Sequence, residues 1–67
     1  MTDQNTSLTL ADDGKKEYGK GNFKAAADLF AQAAQGYVAQ GNELDAAEMK
    51  NNESVALLQA GNAREAF

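Results

Sequence analysis

The chain contains no cysteine, no histidine and no proline. Without cysteine, no disulfide can stabilise the fold, and the sequence does not indicate in which redox compartment the protein resides. The sequence has no histidine or cysteine for acid–base or nucleophilic catalysis and no phosphate-binding glycine loop. The acidic pairs do not follow the calcium-loop pattern either. We therefore expect a protein that is not an enzyme, with no catalytic residues, no cofactor and no metal site.

Membrane and secretion signals are also missing from the sequence. No apolar run approaches the roughly 18–20 residues of a membrane span, so no membrane insertion is expected. The N-terminal segment "MTDQNTSLTL" lacks the basic start and apolar stretch of a signal peptide, which favours a cytoplasmic location. The net charge of −4 argues against nucleic acid and anionic membrane surfaces as partners, because both attract basic patches.

What the sequence has in abundance is alanine, with few β-branched residues. This composition favours closely packed helices and disfavours strands, so we predict an all-α fold in a single domain. Residues 1–6 are predicted to form a disordered tail. Helices are predicted over residues 7–19, 23–40 and 43–60, and Thr9 with Asp12 resembles a capping box near the start of the first.

One dipeptide, Gly-Asn, divides the chain at regular intervals. It occurs at positions 21, 41 and 61. A glycine that ends one helix, followed by an asparagine that caps the next, predicts a tight antiparallel helix connection. Each interval of 20 residues holds one helix, so two intervals predict a hairpin of two helices every 40 residues. The third copy predicts the start of a fourth helix at Ala63, so we expect the chain to be a fragment of a longer array.

Apolar residues form stripes along the second and third helices at helical spacing. In the second helix the stripe is Phe23, Ala26, Ala27, Phe30, Ala33, Ala34, Tyr37 and Val38. In the third helix it is Leu44, Ala47, Val55 and Leu58, broadened by Met49, Ala56 and Leu57. Because a helix with such a wide apolar surface usually has two neighbours, the third helix is expected to have an uncovered face.

The residues from Gly14 to Ala33 follow the pattern G-x-x-x-Y-x-x-G-N-F-x-x-A-x-x-x-F-x-x-A. This pattern resembles the tetratricopeptide repeat, in which small residues allow two helices to approach and aromatic residues fill the space between them. The resemblance extends over about Leu8 to Phe67. It departs from the family in its 40-residue period against the usual 34, in the missing proline, and in Ala63, where an aromatic residue is usual.

The resemblance implies about one and a half repeats, right-handed superhelical stacking, and a scaffold that binds a protein or peptide. In such arrays the first helix of each pair lines the binding surface, here helices one and three. The residues expected there are Ala11, Lys15, Tyr18, Glu48, Asn51, Asn52 and Val55. Asn52 matches the place where many members carry an asparagine that bonds a ligand backbone. Lys15 alone does not supply the cations that a clamp for a terminal carboxylate needs.

Two other interpretations stay open at this stage. The "GNF…A…LF" pattern is shared with microtubule-interacting-and-transport domains, which would make the chain a three-helix binding domain, although a third Gly-Asn argues against this. Alternatively, the segment mainly self-associates. The uncovered face of helix three then predicts a homodimer, with exchange of helices at a Gly-Asn hinge as one route.

Overall fold

The computed structural model describes residues 4–65, which form three α-helices joined by short turns. The helices are α1 (Gln4–Gly19), α2 (Phe23–Ala39) and α3 (Glu43–Glu65). Within these residues there is no strand, so the prediction of an all-α fold with three helices is confirmed.

The turn between α1 and α2 is a Schellman motif closed by glycine. Gly21 has a φ of +84°, in the left-handed region that glycine enters without steric cost. Its N–H donates to the Tyr18 carbonyl at 3.0 Å, and the Asn22 N–H donates to the Glu17 carbonyl at 2.9 Å. These two bonds satisfy carbonyl groups that the end of α1 would otherwise leave unpaired.

Asn22 uses its side chain differently from the sequence prediction. Asn22 is the N-cap residue of α2, as predicted, but its side chain makes no capping bond to the helix. Its Nδ2 instead donates to Glu17 Oε1 at 3.0 Å, because that carboxylate lies within reach across the turn. Lys20 Nζ lies 3.3 Å from Glu17 Oε2. The hydrogen bond from Asn22, followed by Lys20, lowers the pKa of Glu17 below its ordinary value.

The turn between α2 and α3 repeats the same backbone arrangement. Gly41 has a φ of +76°, and its N–H donates to the Val38 carbonyl at 3.0 Å. The Asn42 N–H donates to the Tyr37 carbonyl at 2.8 Å. The Asn42 side chain donates through Nδ2 to Asp45 Oδ2 at 2.7 Å, which links the turn to the first turn of α3.

The third Gly-Asn pair does not form a turn. Helix α3 passes through Gly61 and Asn62 to Glu65, so the predicted end at Ala60 and the predicted fourth helix from Ala63 are wrong for the residues described. Glycine permits the left-handed conformation but does not impose it, and a helix tolerates it at a cost of about 1 kcal/mol. The last two residues of the predicted fourth helix, 66 and 67, lie outside the described range.

Helix α1 begins earlier than the sequence indicates. It starts at Gln4, three residues before the predicted start, so Thr9 lies inside the helix and does not form a capping box. Ser7 is fully buried, and Gln40 Nε2 donates to its hydroxyl at 3.3 Å. This contact anchors the first turns of α1 to the end of α2. Residues 1–3 of the predicted disordered tail lie outside the described residues.

Helix α2 is the central element and packs against both other helices. The buried residues of α2 are Ala26, Ala27, Phe30, Ala33, Ala34, Gly36 and Tyr37. They reproduce the stripe predicted from the sequence, except that Phe23 is half-buried and Val38 is 55% exposed. Since the start of α1 contacts the end of α2, these two helices are antiparallel.

Gly14 of α1 lies directly against the side chain of Phe30 in α2. A Cβ atom at this position would lie 2.7 Å from Phe30 Cε1 and 2.8 Å from Phe30 Cδ1. Such distances are shorter than van der Waals contact, so the buried Phe30 ring occupies the space that any other side chain at position 14 would need. Both residues belong to the pattern that carried the family resemblance.

Helix α3 packs on α2 through one part of its predicted apolar surface, Met49 and Ala56, together with Ala46, which was not predicted. These three residues are buried, with exposed fractions of 4%, 0% and 3%. Leu44 is 86% exposed and Leu58 is 64% exposed, so these leucines lie on the uncovered face that was expected of this helix. Alanine on both surfaces allows the helices to approach closely, and larger side chains at the contact would hold them apart.

We predict that Gly14→Ala destabilises the protein by about 1 kcal/mol. The gain in helix propensity is about 1 kcal/mol, but forcing a methyl group against the buried ring costs about 1–3 kcal/mol. Urea unfolding followed by circular dichroism measures the change. Phe30→Leu should cost less in the Gly14→Ala background than in the wild type. Equal costs in both backgrounds would contradict the proposed contact.

We predict the opposite sign for Gly61→Ala. Position 61 is helical, a Cβ atom added there would meet no neighbouring atom within 4 Å, and the residue does not have the positive φ of the two turn glycines. Alanine should therefore stabilise the protein by up to about 1 kcal/mol. The same urea measurement checks this, with Gly41→Ala as a control that should destabilise. A loss of stability in Gly61→Ala would indicate that residue 61 has a positive φ, as at a helix end, and would contradict the continuous helix.

Candidate functional site

A groove runs between α1 and α3 on one side of the molecule. Both helices pack on α2, and the gap between them has a volume of about 440 Å³. Phe30 of α2 lines it together with residues of the two flanking helices. Those residues are Lys15 and Tyr18 of α1, and Glu48, Asn52 and Val55 of α3.

Most residues expected from the sequence to contact a partner lie in this groove. Lys15 and Tyr18 are three residues apart on α1, which places both on one face. Glu48, Asn52 and Val55 follow the spacing i, i+4, i+7 on α3, which does the same. The structure therefore brings together, from two separate helices, residues that the sequence could only assign to a common surface by analogy.

Two of the expected residues lie elsewhere. Ala11 is only 3% exposed and belongs to the hydrophobic core, so its predicted exposure is wrong: it faces α2, not a partner. Asn51 is exposed but does not line the groove. A rotation of 100° per residue carries it away from its neighbour Asn52 and onto the outer side of α3.

Sequence reasoning missed Phe30 as part of the groove. The helical pattern assigns this residue to the packing stripe of α2, and it is indeed 3% exposed. It nevertheless lies at the floor of the groove, where only a small part of its ring is accessible. Gly14 is the relevant signal in the sequence, since a residue without a side chain allows the ring of Phe30 to fill the space beside α1.

Tyr18 is held in place by a neighbouring aromatic ring. The rings of Tyr18 and Phe23 meet edge to face, with centroids 5.0 Å apart and planes inclined at 69°. This arrangement is the favourable one for two aromatic quadrupoles. It fixes the tyrosine at the edge of the groove, where the first turn of α2 follows the end of α1.

Three carboxylates act on Tyr37, a buried residue of α2. Burial raises the pKa of the Tyr37 phenol above its ordinary value, and Asp45, Asp12 and Glu48 raise it further. These three carboxylates come from α1 and α3, the two helices that form the groove, and Glu48 also lines the groove. The sequence alone does not reveal this arrangement.

A second, shallower groove lies between α2 and α3. Its volume is about 510 Å³. The lining residues are Lys24, Ala25, Ala27, Asp28, Ala31, Glu53 and Leu57. Because the first turns of α2 meet residues 53 and 57 of α3 here, this contact also shows that α2 and α3 run antiparallel. None of the residues expected to bind a partner lies in it.

The described part of the chain contains neither a cluster of metal-binding side chains nor a membrane-spanning helix. No group of three or more histidine, cysteine, aspartate or glutamate side chains within residues 4–65 is arranged to hold a metal ion. None of the three helices combines the length and apolar character needed to cross a bilayer.

Comparison of the chain with protein-family models, curated proteins and solved structures gives no match.

We predict that Asp45→Asn lowers the pKa of Tyr37. The carboxylate disfavours the phenolate, so its neutralisation should make the phenol more acidic. Ultraviolet absorbance of the phenolate, measured in a Tyr18→Phe background, reports Tyr37 alone. Since its pKa is raised in the folded state, the stability that the neutral phenol contributes is present below the unfolded-state pKa of about 10 and lost as pH rises through the folded-state value.

The control for this titration is Asp28→Asn, which removes the same charge from a residue that does not influence Tyr37. It should leave the titration of Tyr37 unchanged. If both substitutions moved the pKa equally, the effect would come from net charge and not from carboxylates beside the groove.

Proposed function

We propose that the protein is a protein–protein interaction module of the tetratricopeptide type, which binds a peptide or partner helix in the groove between α1 and α3. The observation that carries this proposal is the groove itself. Lys15, Tyr18, Glu48, Asn52 and Val55, chosen from the sequence by family resemblance, line one groove together with Phe30.

The packing of α1 on α2 supports the family assignment within this proposal. Gly14 lies against Phe30, which corresponds to the small and aromatic pairing that the family uses inside a hairpin. Gly21 and Gly41, twenty residues apart (41 − 21), both adopt the left-handed conformation and produce two similar connections. The right-handed stacking of hairpins belongs to the same proposal.

The groove has the chemistry to hold a short segment of chain. The Asn52 amide can both donate to and accept from a peptide backbone. Tyr18 and Val55 offer an apolar surface for one side chain of the segment, above the buried ring of Phe30. Pockets for protein ligands commonly combine such an apolar lining with a few polar groups that set orientation.

The charges near the groove indicate what kind of segment fits. Lys15 is a single cation on the lining, whereas Asp12, Asp45 and Glu48 lie close enough to shift the pKa of Tyr37. These three carboxylates would attract a partner with a basic side chain and repel a terminal carboxylate. We therefore propose a neutral or basic peptide segment as the ligand.

A three-helix domain similar to microtubule-interacting-and-transport domains is the second candidate. A helix end at the third Gly-Asn pair would count against it, but α3 continues through that pair. Extension of the chain beyond Phe67 discriminates between the two candidates. A repeat fragment should gain stability with the next helix, whereas a self-contained three-helix domain should not.

We predict that Asn52→Ala weakens peptide binding about fivefold, because one hydrogen bond to a ligand backbone contributes on the order of 1 kcal/mol. Peptides selected from a random display library on the wild-type protein provide the ligands. Affinity is measured by fluorescence anisotropy, and amide chemical shifts locate the binding surface.

Asn51→Ala is the matched control for this experiment, since it makes the same change one residue away and outside the groove. It should leave the affinity unaltered. The proposal would be rejected if the two variants behaved alike, or if the selected peptides shifted amides along the groove between α2 and α3.

A further inference from the structure

Helix α3 carries an exposed apolar stripe on the side facing away from α2. We call it the outer stripe of α3, and it consists of Leu44, Ala47, Asn51, Val55 and Leu58, of which Val55, at the edge of the stripe, also lines the groove. All five residues are exposed, and the leucines are 86% and 64% exposed. At 100° per residue, the five lie within an arc of about 80°, opposite the buried face. No charged residue belongs to this stripe.

The outer stripe is symmetric about its central residue. Leu44 and Leu58 each lie seven residues from Asn51 (51 − 44 and 58 − 51), and Ala47 and Val55 each lie four residues from it. When a helix with this pattern is turned end over end about Asn51, apolar residues again meet apolar residues. A two-fold interface requires such a self-complementary surface, because the same patch serves on both subunits.

We propose that the outer stripe binds the outer stripe of a second copy, with the two α3 helices antiparallel and the two-fold axis at Asn51. In this arrangement Leu44 meets Leu58 of the other copy, and Ala47 meets Val55. Asn51 meets itself, and its amide can donate and accept at once. A single polar residue at the centre of an apolar helix interface fixes register, as in coiled coils.

The antiparallel orientation follows from size and charge. Pairing Ala47 with Val55 places a small residue against a larger one, which fills space evenly. A parallel pair would instead place alanine against alanine. It would also bring together the acidic first turns of both helices, where Glu43 and Asp45 lie. The antiparallel pair separates these carboxylates and aligns the helix dipoles favourably.

A second copy is the partner that this stripe fits, because the stripe is complementary to itself and the same five residues form both sides of the contact. The contact involves only one helix from each copy. We therefore expect it to bury less accessible surface than the roughly 1,200–2,000 Å² of a stable interface. The association is therefore weak and reversible, and it leaves both glycine turns in place. Exchange of helices between copies is not required.

Disulfide trapping tests the position of the two-fold axis, and the chain offers a clean background because it contains no cysteine. Asn51→Cys should form a disulfide between copies under mild oxidation, and Lys50→Cys, one residue off the stripe, should not. A mixture of Leu44→Cys and Leu58→Cys should yield the mixed dimer in excess over either homodimer. Disulfides between two Leu44→Cys chains would demonstrate parallel pairing and overturn the proposal.

Sedimentation equilibrium tests the association itself. Wild type should show reversible dimerisation, and Leu44→Glu should weaken it at least about tenfold, because two charges would enter an apolar contact. Val38→Glu adds the same charge at a similarly exposed site on α2 and should have no effect. Circular dichroism should show unchanged helicity in both variants. A wild-type protein that stays monomeric at about 1 mM, or equal effects of the two variants, would refute the proposed surface.

Discussion

The contact between Gly14 and the ring of Phe30 sets the geometry of the molecule. It lets α1 pack against α2 more closely than a residue with a Cβ atom allows without a shift of the ring, and it places the ring at the floor of the groove between α1 and α3. The alanines of α2 extend the same close packing to α3. The groove is thus a consequence of helix packing around one aromatic side chain, and its lining residues are arranged by that packing.

Close packing also explains why α3 presents its larger side chains to solvent. Ala46 and Ala56 face α2, and their small size lets the helix axes approach. Leu44 and Leu58 lie on the opposite side, where they are available to another surface. One helix consequently has two functions: its inner face completes the fold, and its outer face and groove edge are free for contacts with other chains.

The sequence predicted the helical class and two of the three Gly-Asn positions correctly, because Gly21 and Gly41 have a local conformational role. The prediction failed at Gly61, because glycine permits a helix end but does not impose one, and α3 continues through this position. The sequence also predicted that α3 has a wide apolar surface with an uncovered face, but not which part of that surface packs on α2. The alanine surface of α2 selects the small residues Ala46 and Ala56. The carboxylates around Tyr37 could not be foreseen because they come from different helices.

The dominance of alanine in the core has a thermodynamic consequence. Among residues 6–62, the buried hydrophobic residues other than Phe30, Tyr37 and Met49 are alanines, so folding of this part removes little apolar surface from water. The heat capacity of unfolding scales with that surface. The stability curve of a single chain should therefore be shallow, with a broad thermal transition and little tendency toward cold denaturation.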